Sequence, residues 1–252
     1  MLQFYLYIPR NYSPSQSYPL VLLLHGVGER IQAKLTPSQN TAKLLNQEYV
    51  DVWGPGYPAG GPSIQDRWPS FVVVPQLIEP DRWVNVLGRT GDYRLFPQPT
   101  PSLAMAMIIV QLLQKTYPNI DPTRRYITGI SMGADGVWDA LERWPHYFAA
   151  GVPLAGAGDP TQAGVIIHVP VWDFHSKHDN DVPLSSAYDM LRAITAKGGH
   201  PCFTLVNAPG HTIWPQVYGL THTYTNPLYP WLFAQRLDTP SPASPACPAF
   251  LG

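Results

Sequence analysis

Charge is scarce in this chain. Only 13% of its 252 residues are Asp, Glu, Lys or Arg, and the formal net charge is -1. Nothing in such a balance would hold a polyanion, so neither nucleic acid nor an anionic membrane is an expected partner. Cysteine is nearly absent: Cys202 and Cys247 are the only two. They are too few for a disulfide framework and form no C-x-x-C pair, which favours free thiols over a single bridge. Long apolar runs are missing as well. The stretches "PLVLLLHG" and "MAMIIVQLL" fall short of the roughly 20 residues that span a bilayer, so membrane insertion is not expected. The N-terminus shows no basic start, apolar middle and small-residue cleavage site. Instead Met1 leads into "LQFYLYIP", where Leu2, Phe4, Leu6 and Ile8 alternate with Gln3, Tyr5 and Tyr7 as in a half-buried strand. The chain reads as soluble, and its location stays open between the cytoplasm and secretion with a signal removed.

What is present is one long alternation of strand-like and helix-like segments. The length suits a single large core, and the reading is one domain over 1–237 followed by a Pro, Ser and Ala rich tail over 238–252. Continuous apolar runs such as "LVLLLHG" and "FVVVPQ" suit parallel strands covered on both faces. Further strands are expected at "RYITGI", "FAAGVPLAG", "VPVWDFHS" and "CFTLVN". Helices are expected over 41–47, 102–116, 133–144, 183–199 and 227–237. Strands alternating with helices imply an α/β fold, a mostly parallel sheet with helices on both faces. Two segments, "WGPGYPAGGPSIQDRWP" and "DRWVNVLGRTGDYRLFPQPTP", are too rich in Gly and Pro for regular structure and long enough to be functional loops.

The stretch "RRYITGISMGADGVWDAL" sets Ser131 between Gly129 and Gly133, at the point where a strand gives way to a helix. In an open parallel sheet, ligands bind beyond the carboxyl ends of the strands. Flanking glycines permit the sharp turn that holds a serine hydroxyl clear of the backbone. A serine needs a base, and His211 in "NAPGHTIW" follows the last strand at the same sheet edge. His146, His168, His200 and His222 lie in less suitable turns or tails. The base needs an orienting acid, and "KHDNDVP" offers Asp179 first and Asp181 second, with Asp181 also placed to cap the next helix. The chain order Ser, Asp, His is the one such sites use in this kind of fold. Oxyanion donors are expected from the Met132 N–H and, in the "HGVGER" loop, from the Val27 N–H with Gly28 next to it. His25 is read as shaping that loop. His175 and His178 lack a third ligand at familiar spacing, so no metal is expected, and no cofactor is needed.

These residues resemble the α/β-hydrolase superfamily, in particular serine esterases similar to dienelactone hydrolases, feruloyl esterases and polyhydroxyalkanoate depolymerases. The resemblance rests on "LLLHGVGER", "FVVVPQ" with "RW" after it, "GISMGADGVWDAL", "FAAGVPLAGAGD", "FHSKHDNDVP" and "GHTIW", together covering Leu20 to Trp214. It implies a Ser131, His211 and Asp179 triad acting on a small-molecule or polymeric carboxylic ester through an acyl enzyme. Trp53, Tyr57, Trp68, Trp83 and Trp214 suggest an apolar or aromatic acyl or alcohol group, with Trp83, Trp214 and Gly28 the first choices for substrate contact. The chain departs from the family pattern in two places, at Ala134 and Asp135 after the serine and at Asp173 inside the strand before the acid. A buried Asp173 requires either a hydrogen-bonding partner or a raised pKa. The rival readings are a serine peptidase of the prolyl-oligopeptidase type, which uses the same triad, and a non-catalytic binding module. Oligomeric state is not legible.

Overall fold

The computed structural model describes residues 2–56, 60–85, 93–219, 223, 225–239 and 247. Its centre is a seven-stranded sheet in the order β1-β3-β2-β4-β5-β6-β7. The strands are β1 (Gln3–Tyr7), β2 (Tyr18–Leu24), β3 (Phe71–Gln76), β4 (Ile120–Ile130), β5 (Ala150–Leu154), β6 (Trp172–Ser176) and β7 (Cys202–Val206). Only the edge strand β1 runs antiparallel, against β3; all other pairings are parallel. The α/β reading of the sequence is therefore the fold observed.

Strand periodicity explains the layering. Along β2 every side chain is buried, with Leu20, Leu22 and Leu24 turned to one layer and Val21 and Leu23 to the other, as a period of two requires. The first layer receives α3 (Pro101–Thr116), α4 (Met132–Arg143) and α5 (Leu184–Ala196). The second receives α1 (Pro37–Leu45), α2 (Glu48–Trp53), α6 (Trp214–Val217) and α7 (Leu228–Ala234). Local chemistry sets the helix ends. Thr100 accepts the Leu103 N–H, with Pro101 opening α3, and Thr36 forms a reciprocal capping box with Gln39. That box and Pro37 start α1 four residues before the expected 41. The helices α2 and α6 were not expected, because each is too short to show a period. Asp181 does not cap α5, whose N-cap is Pro183 without a side-chain bond.

Strand order reverses between β2 and β4, since β2 has β3 on one side and β4 on the other. This is the topological switch point at which open α/β sheets leave a crevice. Among the described residues, no helix is long and apolar enough to cross a membrane.

The expectation of free thiols is overturned: Cys202 and Cys247 form a disulfide, with their Cα atoms 5.3 Å apart. The two are 45 residues apart in sequence, a separation without pattern, so no spacing rule could have paired them. The bridge ties a residue of the tail to the start of β7; the rest of the expected tail beyond residue 239 lies outside the described residues. Closing a loop of this length removes denatured-state entropy worth about 4 kcal/mol in the chain-entropy treatment. Cys247→Ser should lower the unfolding free energy by up to that amount, as read from urea denaturation, and a midpoint equal to that of the parent protein would show the bridge to be energetically idle.

Candidate active site

Ser131 sits at the switch point, where β4 ends and α4 begins. Its backbone has φ 53° and ψ −123°, a left-handed conformation that costs a non-glycine residue energy and persists only where the surroundings hold it. The surroundings do so through close packing. A Cβ on Gly133 would lie 2.0 Å from the Leu24 carbonyl oxygen, and one on Gly129 would lie 2.6 Å from the Gly133 carbonyl oxygen. Only glycine allows the turn to cross the end of β2 so closely. The Ser131 N–H donates to the Leu154 carbonyl at 2.8 Å, and its own carbonyl accepts the Ala134 and Asp135 N–H groups. The hydroxyl is left at the carboxyl edge of the sheet.

His211 arrives there on the loop after β7. Its Nε2 lies 2.7 Å from Ser131 Oγ, and its Nδ1 lies 2.7 Å from Asp179 Oδ2. The carboxylate can only accept, so Nδ1 carries the proton and Nε2 is left to accept from the serine hydroxyl. Asp179 follows β6, and its side chain is fully buried. Its Oδ1 accepts the Asp181 N–H at 2.9 Å and the Val182 N–H at 2.8 Å. Burial opposes ionisation, but the bonds from His211 and these two amides outweigh it, and the Asp179 pKa falls below the ordinary carboxylate value. The loops carrying Asp179 and His211 are fastened to each other by the Ser176 hydroxyl, which donates to the Ala208 carbonyl at 3.0 Å.

The loop after β2 faces the same crevice, and His25 organises it. His25 Nδ1–H donates to the Gly26 carbonyl at 2.6 Å while Nε2 accepts the Leu77 N–H at 3.0 Å. Burial lowers its pKa to about 4, so it stays neutral. Val27 and Gly28 are exposed on this loop. Met132 opens α4, where first-turn N–H groups have no acceptor inside the helix.

The aromatic residues divide. Trp214 is half-buried, with its ring 5.7 Å from that of His211 and 6.4 Å from that of Tyr49. Trp83, expected as a pocket wall, is instead wholly buried, its indole N–H donating to the His25 carbonyl at 2.9 Å. It supports the loop from beneath. Trp53 is also in the core, and Trp68 stacks on Phe233. Tyr57 and His222 lie outside the described residues. His146 and His168 stack on each other away from the serine, and among the described residues no group of three or more His, Cys, Asp or Glu side chains could hold a metal ion.

Of the buried acids near the site, Asp135 and Asp173 stood out in the sequence, whereas Asp139 and Glu142 did not. Asp135, Asp139 and Glu142 form one buried face of α4. Asp135 accepts the Ala157 N–H, Asp139 accepts the Tyr93 hydroxyl and Arg143, and Glu142 accepts the Asp159 N–H. They moor the loops after β3 and β5 to the helix that follows the serine. Asp135 and Glu142 bind loop backbone, and Asp139 binds the Tyr93 hydroxyl. Burial pushes Asp135 up to about 8. Asp173, in β6, is also wholly buried, with neither carboxyl oxygen hydrogen-bonded, and burial lifts it to about 8.

No protein-family model matches the chain, and no curated protein matches it significantly. Solved structures do. A parallel sheet with a serine turn at its switch point and a histidine and an acid beyond later strands defines the α/β-hydrolase class, and the neighbours fall in it. The chain is similar to a thermostable esterase at TM-score 0.69 and 29% identity, over 93% of this chain and 59% of that one. It therefore spans 59% of that esterase's length. It is also similar to a ferulic acid esterase (TM-score 0.59, 14% identity, 91% of each chain). An acylaminoacyl peptidase of Pyrococcus horikoshii matches at TM-score 0.56 and 16% identity, over 84% of this chain and 36% of that one. The chain has the α/β-hydrolase fold.

Asp173 makes stability depend on pH. Its pKa is raised on folding from about 3.8 to about 8, so the folded state holds a proton that the unfolded chain releases between those values. This contribution is intact below pH ~4 and is lost as pH rises towards ~8. Asp173→Asn should thus match the parent protein near pH 4 and exceed it increasingly up to pH 8, as read by thermal melts. A stability difference that stays constant with pH would show that Asp173 ionises normally in the fold.

Proposed function

We propose that the protein is a serine carboxylic ester hydrolase. The observation that carries this reading is the unbroken chain from Ser131 Oγ to His211 Nε2 and from His211 Nδ1 to Asp179 Oδ2, 2.7 Å at each link. Ser131 attacks the ester carbonyl while His211 Nε2 takes the hydroxyl proton, and the imidazolium is stabilised by the ionised Asp179. The negative oxygen that forms is received by the Met132 N–H and by the Val27 N–H of the loop after β2, each donor lowering the barrier by about 3 kcal/mol. His211 returns the proton to the departing alkoxide. Water activated by the same nitrogen then releases the acid and restores the serine.

The likeness to a thermostable esterase supports ester cleavage. The half-buried Trp214 beside His211 supports an apolar or aromatic group on the substrate, and the open space at Gly28 on the loop after β2 leaves that residue free for substrate contact. A small-molecule or polymeric ester is the expected partner. Peptide hydrolysis by the same triad is the alternative, and its support is at the level of the fold.

The test is hydrolysis of 4-nitrophenyl esters of graded acyl length, set against matched 4-nitroanilides. Ester turnover should greatly exceed anilide turnover. Ser131→Ala should cut kcat/KM by about 10⁴-fold or more, with His211→Ala comparable. A Ser131→Ala protein as active as its parent would refute the assignment, and comparable rates on anilides would move it to a peptidase.

A further inference from the structure

Behind the triad stands a second histidine that the proposed mechanism does not use. His175 is the penultimate residue of β6 and is wholly buried. Its Nε2 lies 3.0 Å from the Val182 carbonyl oxygen and 3.4 Å from Asp179 Oδ2. Both neighbours are acceptors, so the proton is on Nε2, and Nδ1 is left without a hydrogen-bond partner among the described residues. Burial holds the pKa of the ring below the usual histidine value, so the ring is neutral.

The Val182 peptide is therefore gripped from two sides. Its N–H binds Asp179 Oδ1 at 2.8 Å, and its carbonyl receives His175. The turn from 179 to 182 is short and polar, and α5 begins after it without a side-chain cap. The His175 N–H also directs its positive end towards Asp179 Oδ2, the oxygen that receives His211 Nδ1–H.

We infer that His175 is a positioning residue: its Nε2–H locks the turn that carries Asp179 and so sets the acid against His211. The inference rests on the serine hydrolase reading for its kinetic consequence, but not for its structural one. His178, three residues on, is exposed and takes no part. The other titratable groups around the ring are Asp173 on the same face of β6, and Asp179 and His211 in front of it.

The experiment compares His175→Gln with His175→Asn. Both are neutral amides, but the glutamine amide reaches the place of Nε2 and the asparagine amide falls short of it. Active sites are titrated with a serine-directed phosphonate, and kcat and KM are measured per titrated site on 4-nitrophenyl acetate. His175→Asn should lose roughly 10-fold in kcat with little change in KM, and His175→Gln should recover most of the loss. The downfield proton resonance of His211 Nδ1–H should move upfield in the asparagine variant and return in the glutamine variant. Equal behaviour of the two variants, whether both stay active or both are impaired alike, overturns the assignment. If the parent protein is not labelled at Ser131, the hydrolase reading fails on its own, and the proton resonance still decides the role of His175.

Discussion

The structure depends on how closely the turn around Ser131 crosses the end of β2. With the Leu24 carbonyl only 2.0 Å from where a Cβ of residue 133 would stand, the first turn of α4 is pressed onto the neighbouring strand. The serine backbone is forced into a left-handed conformation that nothing local would favour. The strain is confined to a single residue and held by hydrogen bonds to β5 and α4. Everything else at the site is arranged relative to that fixed point. The loop after β2 is shaped by a neutral His25 and underpinned by Trp83, and Asp179 and His211 come from the loops of the last two strands.

Much of this was legible in the sequence because it depends on backbone requirements that few residue types meet. Gly129 and Gly133 around a serine, between an apolar run and an amphipathic one, admit little besides a strand-to-helix turn. The order of Ser131, Asp179 and His211 along the chain then follows the order of the strands. Other features were hidden for physical reasons. Trp83 in a proline-rich segment looks the same whether it lines a pocket or supports a loop, because only tertiary packing decides. The cysteine pair is joined by chain geometry that has no local signature. On α4 the acids carry the spacing of a wet surface, and only the loops that fold over them reveal that they are buried.

The buried acids and the triad illustrate one rule with two outcomes. Asp179, Asp135 and Asp173 are all taken out of water. Asp179 is met by two backbone amides and an imidazole and remains ionised, whereas Asp135 and Asp173 are each met by at most one amide and are pushed towards neutrality. Asp179, the nearest of the three to the surface, is also the one met by most donors, and both differences favour its ionised form.

The sheet is also unevenly stitched. Between β5 and β6 the ladder is reduced to the Leu154 and Phe174 pair and a bridge from Gly151 to Val171, whereas β4 with β5 and β6 with β7 each register over five pairs. That seam separates the strand bearing the serine from the two strands bearing the acid and the base. The site is thus assembled across two leaves of the sheet, each more firmly knit within itself than to the other. The placing of Ser131 against His211 is thus left largely to side chains packed across the seam, where Leu154, Trp172 and Phe174 belong to one apolar cluster.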